Sequence, residues 1–226
     1  MTSAAIVGST GLVGSHILST LLSLPSISSV HAFARREPPV TDAKLHVIIS
    51  KDSLEWPSKL SSITPTPSIF FSGLGTTRAA AGGLENQRKI DYDLNLALAR
   101  AAKESGVKVY VLISAQAASA MSSLALPKMK GELEDSVMAL GFEHTVILRP
   151  GLILGAREES RPVEAAARMI AGFVGLLGNM FKDAWAQNAD VIGKAAIKSG
   201  LQALEGKAEK VWIVRQSDIV KLGRTE

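Results

Sequence analysis

The chain is expected to fold as one doubly wound α/β domain, a mostly parallel sheet with helices on both faces, and three observations carry that expectation. The apolar run Ala5-Ile6-Val7 leads directly into three glycines spaced three apart, Gly8, Gly11 and Gly14. Short runs rich in Val, Ile and Phe then recur along the chain, separated by stretches whose apolar residues return at helical spacing. With 226 residues, 46% of them hydrophobic, the chain can bury a sizeable core without dividing, so residues 1–226 are read as a single domain. Strand–helix alternation of this kind puts a ligand crevice at the carboxyl ends of the strands.

The first strand and its turn are the most specific element. Gly8 suits a tight turn off the strand, Gly11 lets backbone come close to a phosphate, and Gly14 lets the first helix pack against the sheet. The helix is expected to start near Leu12, because Leu12, Val13, Ile17, Leu18, Leu21 and Leu22 form an apolar stripe. Its first N–H groups have no partners inside the helix and suit a pyrophosphate. Gly8, Ser9, Thr10, Gly11, Leu12, Val13 and Gly14 are therefore the candidate dinucleotide loop. The lysine of a triphosphate-binding loop is missing beside these glycines, which turns the reading away from phosphoryl transfer.

A second strand is expected over Val30–Ala34, and Arg35-Arg36 follows it directly. An acid at that point would hold the 2′-hydroxyl of NAD, whereas two guanidinium groups suit the 2′-phosphate of NADP. NADP(H) is thus the expected cofactor; the alternative is that Arg36 pairs with Glu37 or that both arginines face solvent. Further strands are expected over Leu45–Ile49, Ser68–Phe71, Val107–Ile113, Thr145–Leu148 and Lys210–Val214, with helices over about residues 85–104 and 128–140. Ser61–Pro67, carrying Pro65 and Pro67, reads as a connector. After the fourth strand, Gly73-Leu74-Gly75-Thr76-Thr77-Arg78 supplies small residues where backbone passes near a ligand. Gly73 and Arg78 are candidate cofactor contacts, and an ordinary turn is the competing reading. Asp91, Asn95 and Leu98 fall near one face of the next helix.

Composition removes several function classes. The formal charge is +4, and the basic residues are scattered without interleaved aromatics, so no nucleic-acid partner is expected. There is no cysteine, which excludes disulfides, thiol catalysis and thiolate metal sites. His16, His31, His46 and His144 lie far apart in sequence, and no metal site is expected. Only Met1, Thr2 and Ser3 stand before the first strand, so no cleavable leader is expected, and the apolar stretch Met169–Leu177 is too short to cross a bilayer.

The glycine loop, the stretch Gly73–Arg78, Asp91-Tyr92-Asp93-Leu94-Asn95, Ala101–Val107, Lys128-Met129-Lys130-Gly131-Glu132-Leu133-Glu134 and Leu148-Arg149-Pro150-Gly151-Leu152-Ile153-Leu154-Gly155 together resemble the atypical short-chain dehydrogenase family. Within it the chain is most similar to fungal proteins of the mitochondrial outer membrane related to the mammalian Tat-interactive oxidoreductase-like protein. The resemblance covers nearly the whole chain and implies a Rossmann-like fold that binds NADPH. It also implies a Ser-Tyr-Lys group, in which serine orients a carbonyl, tyrosine transfers a proton and lysine holds the nicotinamide ribose. Ser114 falls at the serine position and Lys130 at the lysine position. Four residues before Lys130, where the pattern has tyrosine, this chain has Leu126.

Leucine cannot donate a proton, and losing a positioned acid or base costs about 10² to 10⁴ in rate. Two readings therefore stand side by side. One is an NADPH-dependent oxidoreductase of apolar carbonyl compounds with weakened or altered chemistry. The other is a catalytically weak NADPH-binding regulatory or scaffold protein with a protein partner, held peripherally on the cytosolic face of the mitochondrial outer membrane, as the resemblance implies. Lys130 has its own alternative as part of a solvated charged face with Lys128, Glu132 and Glu134. Pro150 and Gly151 are expected to turn the chain toward the nicotinamide half of the pocket, making Pro150 a candidate contact. Residues 151–190 read as a small substrate-side cap, whose apolar face from Ala165 to Leu177 suits core packing, a pocket wall, or a partner or membrane surface. The substrate and the oligomeric state stay open.

Overall fold

In the computed structural model, residues 2–154 and 186–224 are described. Seven strands form one sheet: β1 (Thr2–Val7), β2 (Ile27–Ala34), β3 (Leu45–Ile49), β4 (Ile69–Ser72), β5 (Val109–Ile113), β6 (His144–Leu148) and β9 (Val211–Val214). Their order is β3-β2-β1-β4-β5-β6-β9, and each neighbouring pair is parallel. The doubly wound α/β fold is confirmed. Its chain reversal falls between β1 and β4, the place where such sheets open a ligand crevice.

Central strands buried on both faces read as unbroken apolar runs. That is the pattern of β4, Ile69-Phe70-Phe71, and of β5, Val109-Tyr110-Val111-Leu112, all of them buried. On one face, Ile6, Ile69 and Val111 pack against α1 (Leu12–Ser23), α7 (Ala189–Leu204) and α8 (Gln216–Arg224) through Ile17, Leu21, Ile192 and Ile219. On the other, Val7, Phe70 and Tyr110 pack against α2 (Trp56–Ser61), α5 (Asn95–Glu104) and α6 (Ala125–Ala139) through Trp56, Leu98 and Leu133.

Most differences from the sequence expectation are at element ends. The fifth strand begins at Val109, not Val107, because the Val107 N–H donates to the Ala102 carbonyl and closes the preceding helix. The helix expected over 85–104 is present in three joined pieces: α4 (Leu84–Arg88), a wide π-type turn (Lys89–Leu94) and α5. A short α3 (Arg78–Ala81) precedes it, capped by the Thr77 hydroxyl, which accepts from the Ala80 N–H. Beyond β6, the strand β7 (Leu152–Leu154) pairs with β8 (Ala186–Asn188). Most of the expected cap, including Ala165–Leu177 and Trp185, lies outside the described residues; residues 189–190 open α7.

Parallel register brings the site together. Val7 is level with Ser72, Ser72 with Leu112, and Leu112 with Ile147. The residues just past these strand ends, Gly8, Gly73, Ser114 and Arg149, therefore share one edge of the molecule.

Candidate functional site

The phosphate loop is built from backbone contacts that leave no space for side chains. Gly8 has φ +80°, and a Cβ there would lie 2.6 Å from both the carbonyl carbon and oxygen of Gly73. A Cβ on Gly14 would overlap the Gly8 carbonyl oxygen and lie 2.7 Å from its carbon. The turn after β1, the first turn of α1 and the strand end of β4 are thus in direct backbone contact. Gly11 is different: it is exposed, extended at φ −85° and ψ 172°, and forms the N-cap of α1 with no side-chain cap. The opening turn of α1 also lacks an acidic residue, so its positive end is neither capped nor neutralised by a side chain of its own. Beside it, Ser9 is 2% exposed and its hydroxyl has no hydrogen-bond partner among the described residues. A buried hydroxyl without a partner next to uncapped amides fits a polar ligand. Thr10 is exposed, Leu12 is half-buried and Val13 is buried in the core, so Val13 supports the loop from beneath.

Arg35 and Arg36 follow β2 and are both exposed, as is Arg78 at the start of α3. Thr77 is occupied as the helix cap described above. The loop between β4 and α3 is pinned from below: the Thr76 N–H donates to Asp91 Oδ1 at 2.7 Å, and Gln87 Nε2 donates to the Thr76 carbonyl at 3.0 Å. Asn95 is fully buried. Its Oδ1 accepts from the Ser72 hydroxyl at 2.5 Å, and its Nδ2 lies 3.1 Å from the Asp91 carbonyl and 3.4 Å from those of Ile90 and Leu74. The wide turn thus receives from a side chain the hydrogen bonding that an ordinary helical turn supplies itself.

Lys130 lies on α6, and its ammonium reaches Asp91 Oδ2 at 3.6 Å; the lysine side chain is 12% exposed and the aspartate side chain 2%. Burial pushes the Asp91 carboxyl up, and the Lys130 charge and the Thr76 N–H oppose that shift. At that separation the contact is an ion pair longer than an ordinary hydrogen bond. The structure therefore brings Lys130 beside the Gly73–Arg78 loop, where a Cβ on exposed Gly75 would be 3.6 Å from its Nζ. Leu126 sits one turn earlier on the same helix and is 46% exposed.

Ser114, the other expected catalytic residue, has a different partner. Its hydroxyl donates to Glu134 Oε1, and Glu134 also accepts from Arg149 Nε and Nη2. Glu134 is 1% exposed, so the ends of β5 and β6 are tied to the middle of α6 by one buried carboxylate. The carboxylate raises the Arg149 guanidinium further above its ordinary value. Glu134 is the site residue hardest to see in sequence, and its signal is the spacing Leu126, Lys130, Glu134, four apart and so on one face of a helix. Pro150 is buried; its carbonyl accepts from the Gln116 N–H, and the Gly151 N–H donates to Gln187 Oε1 at 2.8 Å. Two of the histidines stand away from this edge: His31 stacks on His46 across β2 and β3 with ring centroids 5.0 Å apart.

Residues 4–138 match the model of the NAD dependent epimerase/dehydratase family. Among curated proteins, the chain is 57% identical over 231 residues to Protein fmp52-1, mitochondrial, of Aspergillus terreus, covering 99% of this chain and 100% of that protein. It is 56% identical to Protein fmp52, mitochondrial, of Aspergillus clavatus, covering 99% of each. Among solved structures, the Bordetella bronchiseptica enzyme WbmH in complex with NAD+ superposes with a TM-score of 0.68 at 14% identity, covering 94% of this chain and 75% of that one. The last likeness is one of fold.

Proposed function

The chain belongs to the NAD dependent epimerase/dehydratase family, and from that premise we propose that it is an NADPH-dependent oxidoreductase of apolar carbonyl compounds with altered acid/base chemistry. Lys130 carries the reading. A nearly buried ammonium, paired among the described residues with Asp91 alone, beside a glycine loop at the carboxyl edge of the sheet, is suited to hold ribose hydroxyls and stabilise a developing alkoxide. The α1 amides and Ser9 would hold the pyrophosphate, and Arg35 and Arg36 would take the 2′-phosphate through charge-assisted hydrogen bonds. When bound, the nicotinamide supplies the hydride. Leu126 offers no proton, so the proton must come from Lys130 or solvent, and its exposed apolar side chain favours an apolar substrate at the mouth.

One observation favours a second reading. The Ser114 hydroxyl donates to buried Glu134 and is thereby committed to the protein's own framework instead of a substrate carbonyl. That arrangement suits a catalytically weak dinucleotide-binding protein acting through a protein partner. The mitochondrial names of the two Aspergillus relatives support a mitochondrial place, and the reading puts the chain peripherally on the outer membrane there. No helix among the described residues is long and apolar enough to cross a membrane.

Turnover separates the two. NADPH consumption is followed with a panel of hydrophobic aldehydes and ketones, for the wild type and for Leu126→Tyr. The oxidoreductase reading expects slow turnover that rises by at least about tenfold in the variant, within the range a positioned acid provides. Bound NADPH with no turnover by either protein would overturn it in favour of the regulatory reading.

A further inference from the structure

Asp91 has no role in the reading above, yet with Glu134 it is one of the two buried carboxylates among the described residues. A carboxylate that is 1% exposed is costly unless its partners are well placed. Here the surrounding structure places both the carboxylate and its partners. The wide turn Lys89–Leu94 carries Asp91 inward, and Asn95 satisfies the carbonyls that this turn leaves over. The Thr76 N–H takes one carboxylate oxygen and Lys130 faces the other. Other charges around the pair have their own partners: Glu132 binds Arg88 at 2.7 Å, and Glu134 binds Arg149. Asp91 is thus the only carboxylate paired with Lys130, and the lysine is the only cation paired with Asp91, among the described residues.

The pair is also asymmetric. One Asp91 oxygen is hydrogen-bonded to a fixed backbone amide, so the carboxylate cannot follow the lysine if the lysine moves. Lysine is a point charge on a flexible four-carbon stem, and ordering that stem costs rotamer entropy. At 3.6 Å the carboxylate holds the ammonium by charge, at more than ordinary hydrogen-bond length. Gly75 leaves the outer side of the pair uncovered by any side chain of its own.

We propose that Asp91 is a positioning residue that fixes Lys130 against the Gly73–Thr76 loop, so that its ammonium is already aimed at the nicotinamide ribose before the dinucleotide arrives. This rests on the dinucleotide reading above. It places the effect of Asp91 in one half of the ligand. NADPH reaches Lys130 through its nicotinamide ribose, whereas 2′,5′-ADP contains only the adenosine half and ends before that point.

The test is calorimetric titration of the intact chain with NADPH and with 2′,5′-ADP, for wild type, Asp91→Asn, Lys130→Met and the double variant. Asparagine keeps an acceptor for the Thr76 N–H and removes the charge. The expected result is that Asp91→Asn weakens NADPH about tenfold, roughly the cost of ordering a lysine side chain at binding, and leaves 2′,5′-ADP unchanged. In the Lys130→Met background the same change has no further effect on NADPH, because the residue acts through the lysine. Equal losses for both ligands, an unchanged or higher NADPH affinity, or losses that add in the double variant would each overturn the proposal. A wild type that binds neither ligand would instead remove the dinucleotide reading, and this inference with it. If Asp91→Asn does not fold, Asp91→Glu provides the measurement: with its carboxylate displaced by one methylene it is expected to weaken NADPH alone, and equal weakening of both ligands overturns the proposal.

Discussion

Gly11 and Gly14 differ by three positions, and the structure assigns them opposite consequences on substitution by alanine. At Gly14 the new methyl would overlap the Gly8 carbonyl oxygen and lie 2.7 Å from its carbon, where real Cβ atoms essentially never approach within 3.0 Å. Both partners are backbone, so α1 must withdraw from the turn after β1. Overpacking of this kind costs about 1–3 kcal/mol, and the upper end applies because nothing in the contact can rotate away. At Gly11 the methyl meets only the Gly8 oxygen at 3.1 Å, and φ −85° suits any residue. The N-cap cost of alanine, below about 1 kcal/mol, is offset by about 0.4–1 kcal/mol from restricting the unfolded chain. Gly11→Ala is therefore expected to melt within about 3 °C of wild type, and Gly14→Ala well below it. Binding should show the reverse selectivity among folded proteins. The methyl introduced by Gly11→Ala stands at the uncapped end of α1, and displacing a pyrophosphate from those amides should cost about 100-fold in NADPH affinity, or about 2.7 kcal/mol. Thermal melts and calorimetric titrations of both variants decide the matter. A Gly11→Ala protein that binds NADPH like wild type would refute the assignment of this loop as the dinucleotide seat, and a fully stable Gly14→Ala would refute the packing argument.

Two further predictions concern the groups around the site and the sheet edge. Glu134→Gln leaves the largely buried Arg149 without its counter-charge, so urea unfolding should show a loss of about 2–3 kcal/mol; an unchanged midpoint would mean that the Ser114–Glu134–Arg149 cluster does not hold the strand ends together. Burial, and then the charge of His46, hold the His31 imidazole below its ordinary 6.5. Well above pH 6.5 both folded and unfolded forms are neutral at this residue. As the pH falls through 6.5 the unfolded chain takes up the proton first, so stability falls toward acid. His31→Asn should reduce the loss of stability between about pH 7.5 and 5.5, and an identical loss in variant and wild type would contradict this.

Much of the frame was legible because the local signals agreed with the global fold. Ala5-Ile6-Val7 before Gly8 is both a buried strand and the entry to a turn that only glycine fits, and Ile69-Phe70-Phe71 has the unbroken apolar character of a strand covered on both faces. The long helix α7 was not legible. Gly193 and Gly200 lower its helical propensity, but at Gly200 the helix approaches the sheet so closely that a Cβ would meet Ile69 Cδ1 at 2.7 Å. Tertiary packing there overrides propensity. In the site, Lys128 and Glu132 do form the charged surface that the sequence suggests, Glu132 through its pair with Arg88. Lys130 and Glu134, interleaved with them, turn inward to Asp91 and Arg149. A mixed charge run does not reveal which of its members have buried partners, because those partners come from segments far from it in sequence, the wide turn before α5 in one case and the end of β6 in the other. Asn95 was equally ambiguous, since its burial follows from the wide turn and no sequence pattern announces a π-type turn.

The central claim is a nicotinamide dinucleotide site at the strand ends of β1 and β4, selective for NADPH. Calorimetric titration of the purified, cofactor-free chain with NADPH and NADH tests it most directly, with Arg35→Ala/Arg36→Ala titrated beside it. Saturable binding is expected, with NADPH preferred and a preference that collapses in the double variant while NADH binding is retained. A folded wild-type protein that binds neither nucleotide would contradict it.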